Sequence, residues 1–295
     1  MPRISIVIPT YNQADYLREA LNSVLAQTVA DWEAIVVNNY SDDDTVAVTE
    51  GMNDPRIRLV NFRNHGVIAA SRNRGISFAS GEWIAFLDSD DLWTRDKLER
   101  CLSVAGSEVD LIGHPEIIVR NGGTVGRTAT GTVETAEYRS LLFNGNIFSP
   151  TAVIVRRALL DAVGGFSERP EFATAEDYDL WLRLAEHGAR PRFVDAALSQ
   201  YTLHEGQASA SIERHLKANL AVLDDHASRL SPRLPFDGMR HRRARALAVY
   251  GAARSLHKSG RGREAIQHFL DAILTFPLTL RIYAGLALAA IHRRW

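Results

Sequence analysis

The sequence predicts an α/β fold, a mostly parallel, Rossmann-like sheet flanked by helices. Three observations carry this. Apolar strand-like runs alternate with helix-periodic runs through the first third of the chain, which is the rhythm of a parallel sheet. The polar clusters at 10–12, 38–44 and 88–91 each follow an apolar run, and such sheets place ligands beyond the carboxyl ends of their strands. One run, "IAFLDSDDLW" (84–93), leads straight into three carboxylates within four positions before returning to Leu92 and Trp93. Like charges that close repel, and a cation is the simplest offset.

Taken in order, residues 4–8 are a continuous apolar run ending at Pro9, as in a buried strand. Asn12 stands where it can cap the next helix, in which Tyr16, Leu17, Ala20, Leu21, Val24 and Leu25 recur at helical spacing. A second strand over 33–38 ends in "NNYSDDDT", and Asp44 and Thr45 open another helix. Residues 57–60 are a third strand. Residues 66–79 carry helical spacing through Val67, Ala70 and Ile76 and stop at Gly81. Residues 83–87 are the fourth strand. Further strands are expected at 110–113, 116–120, 149–155, 193–194 and 199–203, with "NGGTVG" as a turn and "VGGFSE" as a glycine loop. "AEDYDLWLRLAEHG" reads as a helix opened by acids and closed at Gly188. After about residue 211 the pattern is helical, broken by "SPRLPFDG".

The 295 residues are 46% hydrophobic and 23% charged, with net charge −1. That is an ordinary soluble composition, enough for one large domain or a domain with an appendage. It exerts no global pull toward nucleic acid. Cys101 is the single cysteine; it excludes an internal disulfide, fits a reducing compartment and reads as a small buried residue. The run at 4–8 is too short for a secretory signal. Residues 273–291 are apolar, but Pro277 and Arg281 lie near the middle. An Arg at a helix centre costs about 2.5–3.5 kcal/mol on insertion scales, so a surface-lying helix is expected rather than a spanning one.

The stretches "SIVIPTYNQADYLREALNSVLAQT", "SRNRGISFASGEWIAFLDSDD" and "GGFSERPEFATAEDYDLWLRL" together resemble the family-two glycosyltransferases of the GT-A fold, inverting enzymes of the bacterial cell-surface polysaccharide or glycan type. The likeness runs from residue 4 to about 205. It implies a catalytic domain over 1–210, with a nucleotide-binding half to about 105 and an acceptor half over about 106–210. A helical extension then covers 211–295. It also implies a nucleotide-diphospho-sugar donor, a glycan or lipid-linked acceptor, a divalent metal (Mn2+ or Mg2+) and inversion.

Carried onto this chain, the pattern assigns Asp88 to the ribose and metal shell, Ser89 to the donor and Asp90 to the metal. Hard divalent ions prefer carboxylate oxygens and bridge to phosphates. Asp91 is expected to cap a helix over "LWTRDKLERCL"; without the resemblance, the whole acidic run reads as a capping turn. Pro9, Thr10, Tyr11 and Asn12 are assigned to the nucleotide, with Thr10 and Tyr11 at the base, the alternative for Tyr11 being a packed aromatic. Arg72 is assigned to the nucleotide and Arg74 to solvent.

The second strand end departs from the family, which usually shows two aspartates where this chain has Asn38 and Asn39. An asparagine can accept from an imide N–H and donate to a carbonyl. Asn39 therefore suits uracil or thymine, and a UDP- or dTDP-sugar is the expected donor. The acids at 42–44 leave a shifted motif open.

Asp177 is assigned as general base, and the first turn of a helix is expected to keep it ionised. Glu176 is read as orienting or acceptor-binding. Asp179 and Trp181 are either acceptor-site residues or a helix-start acid and a core aromatic. His204, in "YTLHEGQAS", is assigned to the metal or diphosphate, with a structural histidine as the alternative. Gly164 and Gly165 either free the backbone near the donor or form an ordinary turn. "RHRRAR" and the end "LRIYAGLALAAIHRRW" suit a peripheral contact with the inner face of the cell membrane, from the cytoplasm, or helices packed on the catalytic domain.

Two rival readings stay open. One is a nucleotidyltransferase, against which "PTYNQADYL" lacks glycine and any Lys or Arg. The other is a silent nucleotide-sugar-binding module, which Asn38 and Asn39 keep in play.

Overall fold

The computed structural model describes residues 2–204 and 211–291. The chain opens as strand β1 (Ile4–Thr10), helix α1 (Ala14–Leu25), β2 (Trp32–Asn38), α2 (Thr45–Gly51), β3 (Ile57–Asn61), α3 (Ile68–Phe78) and β4 (Trp83–Phe86). It continues with β5 (Leu92–Trp93), α4 (Lys97–Ser103), β6 (Leu111–Gly113), β7 (Glu116–Arg120), β8 (Gly123–Arg127), α5 (Tyr138–Asn144) and β9 (Val153–Arg156). Then follow α6 (Arg157–Val163), α7 (Glu176–Glu186), β10 (Pro191–Phe193) and β11 (Ser199–Leu203). Four helices close the described chain: α8 (Ile212–Ser228), α9 (Asp237–Lys258), α10 (Gly262–Thr275) and α11 (Leu280–Ala290).

The large sheet has the order β10-β6-β9-β4-β1-β2-β3. Strand β1 pairs in parallel with β2 and β4, β2 with β3, and β6 with β10, while β9 runs antiparallel between β4 and β6. All seven residues of β1 are buried. Val7 faces one core with Ile35, Phe86 and Trp181, and Ile6 and Ile8 face the other with Leu17, Leu21 and Val24. Burial on both faces is why this strand reads as a continuous apolar run and not as an alternation. A smaller sheet, β5-β11-β7-β8, stands beside the carboxyl end of β4. The helical end is built in two parts. Helix α8 places Ala218, Val222 and Leu223 in the same core as α7, whereas Tyr250, Leu256, Phe269 and Ile282 of α9–α11 form a core of their own. Among the described residues no helix is long and apolar enough to cross a membrane.

Local expectations change in four places. Asn12 does not cap α1. Its backbone is left-handed, with φ 51°, and its Oδ1 accepts from the Asp42 amide at 2.8 Å. The Ala14 amide donates instead to Asp43 Oδ2 at 2.8 Å, and Asp43 Oδ1 accepts from Thr45. Asp43 thus serves the starts of both α1 and α2, which accounts for one of the acids at 42–44. Asp91 caps no helix either, because Leu92 and Trp93 form a strand and α4 begins only at Lys97, behind Asp96. "NGGTVG" is only partly a turn: Asn121 and Gly122 turn at φ 50° and 74°, and β8 then pairs back on β7. The strand expected over 149–155 starts as a single tight turn, Pro150–Ala152, before β9.

Candidate active site

A cavity of about 880 Å³ opens beyond the carboxyl ends of β1 and β4. Pro9, Thr10, Tyr11, Asn39, Arg72, Asp88, Ser89, Asp90, Glu176 and Asp177 all line it. Strand β1 delivers Thr10, whose carbonyl accepts from the Asn39 amide at 3.0 Å, so the first two strand ends are tied together. Tyr11 is 53% exposed and free to offer its ring face. Asn38 points inward: its side chain donates to Asn61 Oδ1 at 2.9 Å and accepts from Ser41 Oγ at 2.7 Å. Asn39 reaches the cavity, its Oδ1 accepting from the Asn64 amide at 2.9 Å. A smaller adjoining hollow is lined by Tyr11, Asn39, Tyr40, Asp42, Arg63 and His65.

The acidic loop after β4 is braced from below. Ser89 Oγ donates to Gln13 Oε1 at 2.5 Å, and the Asp88 amide donates to Thr151 Oγ1 at 3.2 Å. Asp91, which is buried, accepts from Thr151 Oγ1 at 2.6 Å and from the Thr202 amide at 2.9 Å. It therefore clamps the loop to β11. Beneath it the wholly buried Lys97 donates to the Thr151 carbonyl and stacks 4.2 Å from the Trp93 ring. Desolvation lowers the Lys97 ammonium to about 8 and raises Asp91 well above the usual carboxylate range. Asp90 Oδ2 lies 2.7 Å from His204 Nε2, and the His204 ring stacks on Tyr16 at 4.9 Å. Burial first, then the Asp88 charge, raise the Asp90 carboxyl against the pull of His204.

The second acid group stands at the start of α7. Arg72, 3% exposed, joins the two groups: Nη1 donates to Glu176 Oε1 and Nη2 to Asp88 Oδ1, each at 2.7 Å. Burial alone would weaken this guanidinium, but the carboxylates of Asp88 and Glu176 hold its pKa above the ordinary value. Asp177 was expected to be ionised readily by the helix start. The structure reverses that. Desolvation, then the Glu176 charge, raise its carboxyl to about 7, outweighing Arg72 and the helix amides. A carboxylate with that value is half-loaded at neutral pH, where a general base is most effective.

A model of the family described as "Glycosyl transferase family 2" matches residues 5–164, more than half of the chain. The chain belongs to this family and is a glycosyltransferase. The Escherichia coli UDP-Glc:alpha-D-GlcNAc-diphosphoundecaprenol beta-1,3-glucosyltransferase WfgD is 34% identical to it over 225 residues, covering 75% of this chain and 85% of that protein. The Staphylococcus aureus TarS 1–349 structure in complex with UDP-GlcNAc superposes with a TM-score of 0.67 at 22% identity, over 99% of this chain and 88% of that one. The Pyrobaculum calidifontis mannosyltransferase PcManGT, in complex with GDP-Man and Mn2+, gives 0.64 at 21% identity, over 98% and 80%. At those identities the two structures establish the GT-A fold.

Within this family-two glycosyltransferase, several assignments change. Asp179 and Trp181 are buried and do not line the cavity. Asp179 pairs with Arg183 at 2.8 Å and His226 at 3.1 Å, tying α7 to α8, and the Trp181 ring packs against Phe148 and Phe166. Neither is an acceptor contact. Gly164 and Gly165 also lie outside the cavity lining. Both have positive φ, and a Cβ on Gly165 would meet Asn73 Oδ1 at 2.6 Å, where that side chain accepts from the Phe166 amide.

Other residues emerge only from the structure. Asn146, on the loop after α5, donates to Asp177 Oδ2 at 3.3 Å. His215 and Asn219 of α8 line the cavity, with His215 Nδ1 2.9 Å from the Thr174 carbonyl. No motif marks them in the sequence. Among the described residues, no three His, Cys, Asp or Glu side chains are gathered as a metal-ligand cluster. Asp90 and His204, with Asp88 beside them, still form a donor set that suits a divalent ion. The raised Asp90 carboxyl marks a point where added positive charge would be stabilised.

Proposed function

We infer that this glycosyltransferase moves a sugar from a UDP- or dTDP-linked donor to a hydroxyl of a glycan or lipid-linked acceptor, with inversion. The observation that carries the reading is the Arg72 bridge, which holds Asp88 at the end of β4 and Glu176 at the start of α7 against one cavity. Donor and acceptor can therefore meet between the Asp88–Asp90 loop and Asp177.

The base end of the donor fits Tyr11 and Asn39, with the smaller hollow between Tyr40 and Arg63 beside them. The Oδ1 of Asn39 serves Asn64, leaving Nδ2 for a base carbonyl, and uracil and thymine each offer two. A divalent cation, Mn2+ or Mg2+, held by Asp90 and His204 with Asp88 at its edge, would neutralise charge developing on the leaving diphosphate. Asp177 takes the proton from the attacking hydroxyl. Glu176, paired with Arg72 at 2.7 Å, orients the start of α7, and the Asn146 amide holds one Asp177 oxygen. Attack on the anomeric carbon opposite the diphosphate inverts it. The name of the E. coli relative, with its diphosphoundecaprenol acceptor, supports a lipid-linked acceptor, which an enzyme at the inner face of the membrane would reach from the cytoplasm.

Changing Asp177→Asn tests the base: transfer should stop while UDP binding survives, and loss of both would refute the role. Competition by free nucleotides tests the donor, and GDP binding more tightly than UDP would overturn it. A product of retained configuration would contradict inversion.

A further inference from the structure

Between Asp225 and Glu264 the chain carries ten Lys or Arg residues and a single acid, Asp237. That acid is buried and paired with Arg139 of α5 at 2.7 Å. The connection from α8 to α9 and the exposed start of α9 therefore carry an excess of basic side chains, beyond Arg229 and Arg245, which pair with Glu186, Asp225 and Asp224, in a chain whose net charge is −1. It is also apolar there. Residues 231–236 are all exposed, and Phe236 is 69% exposed with a left-handed φ of 70°. A bulky side chain in that conformation is strained, and nothing in the core rewards the strain. Leu234 and Met239 are exposed beside it. Arg233 makes a long bond to the Ser228 carbonyl at 3.4 Å; the exposed Arg240 acts on Asp237 through its charge but bonds to no acid, and the exposed Arg242 has no ion pair among the described residues.

Its place on the fold matters. Arg139 and, through Arg243, Asn144 fasten this corner to α5. Immediately after α5 come Asn146 and Ile147, which line the cavity next to Asp177. Exposed leucines at 274, 278 and 280 form another apolar surface, but it lacks these features. It belongs to the α10–α11 pair, which packs on the far half of α9 through Tyr250 and Leu256. Its Arg281 is stacked over the Tyr250 ring at 5.4 Å. Because Arg281 lies over Tyr250, 14 residues along α9 from Phe236, this surface stands about 20 Å from the corner, at 1.5 Å per residue. Residues 292–295, which complete the basic, apolar end expected to meet the membrane, lie outside the described residues.

We propose that the corner formed by Arg233, Leu234, Phe236, Met239, Arg240 and Arg242 docks the enzyme on an anionic lipid bilayer. The guanidinium groups meet headgroup phosphates and the three apolar side chains enter the boundary above the acyl chains. Docked this way, the corner would hold α5, whose following residues Asn146 and Ile147 line the cavity, close to the surface from which a lipid-linked acceptor would enter. The proposal rests on the lipid-linked acceptor reading for its purpose, but not for its measurement.

Co-sedimentation of the full chain with phosphatidylcholine vesicles, with and without 30% phosphatidylglycerol (about that fraction suffices for a strong surface field), tests it. The expected result is at least about tenfold stronger partition onto the anionic vesicles, reversed by about 0.5 M salt. The triple change Arg233→Glu, Arg240→Glu, Arg242→Glu should abolish binding. Phe236→Ser should weaken it several-fold, and Leu278→Ser with Leu280→Ser should leave it unchanged. All the altered side chains are exposed, and an unchanged melting temperature checks that each variant folds. No preference for anionic vesicles, as when an acidic protein is the true partner, overturns the proposal. So does loss of binding in the leucine variant but not in the arginine variant. If vesicle binding behaves as expected while transfer proceeds only to water-soluble glycans, the acceptor reading fails and the docking surface stands.

Discussion

Two carboxylate pairs line the cavity, Asp88 with Asp90 and Glu176 with Asp177, and they are built alike up to a point. In each pair one acid is bound to Arg72 and the other is not. The unbound acids, Asp90 and Asp177, are the ones whose carboxyls burial lifts above their ordinary values. Their remaining partners separate them. Asp90 has an imidazole at 2.7 Å, whereas Asp177 has an amide at 3.3 Å. An acid beside an imidazole on a braced loop is suited to sharing a cation. An acid beside a neutral amide, raised to about 7, is suited to exchanging a proton. Similar desolvation thus leads to different chemistry, decided by one neighbour each.

The comparison breaks most visibly at Asp177. Asp177→Asn should lower the transfer rate by about 10²–10⁴, the range for a positioned general base, with UDP affinity measured by calorimetry unchanged. If the rate moved less than tenfold, Asp177 would not be the base. Arg72→Met comes next. It strands two carboxylates, one of them deeply buried, and should cost about 3–5 kcal/mol of stability, read from denaturant unfolding. A variant of wild-type stability would show that the bridge does not hold the two pairs together.

The pH profile sharpens the contrast. Because the folded Asp177 carboxyl is raised, its base form is lost as pH falls below about 7, and kcat/KM should drop about tenfold per unit there. The same ionisation works against the fold. The contribution of this partly desolvated acid is favourable when it is protonated and declines as pH rises toward 7. A flat profile between pH 5 and 7 (a range that brackets the shift on the acid side) would reject the proton role.

The smallest expected effect is at Asn146. Removing one hydrogen bond worth about 1 kcal/mol by Asn146→Ala should slow transfer about fivefold and move the inflection upward, since the ionised form loses a donor. An inflection that moved down would place Asn146 elsewhere in the mechanism.

Much of this was legible along the chain. The alternating apolar runs predicted the parallel sheet, and Thr10, Asn39 and residues 88–91 at the ends of β1, β2 and β4 line the cavity, whereas Asn12 and Asn38 do not. These features are local: a buried strand needs consecutive apolar residues, and its end is where a parallel sheet presents polar ones. Where the reading failed, the cause was a partner distant in sequence. Asp91 looked like a cap because the next residues resembled a helix, but Thr202, 111 positions on, takes its carboxylate. Asp179 and Trp181 looked available to an acceptor, but His226 of α8 takes Asp179 and the rings of Phe148 and Phe166 enclose Trp181.

The sequence by itself determined the sheet, its strand ends and the chemical kinds of side chain gathered there, since periodicity and residue type are written in short windows. Only the tertiary structure decided which acids are charged. That depends on the desolvation and the Glu176 charge that act on Asp177, on Arg72 reaching Glu176 across 104 residues, and on Lys97 being enclosed beneath Asp91. Desolvation and long-range ion pairs are properties of the packed molecule, so no local pattern encodes them.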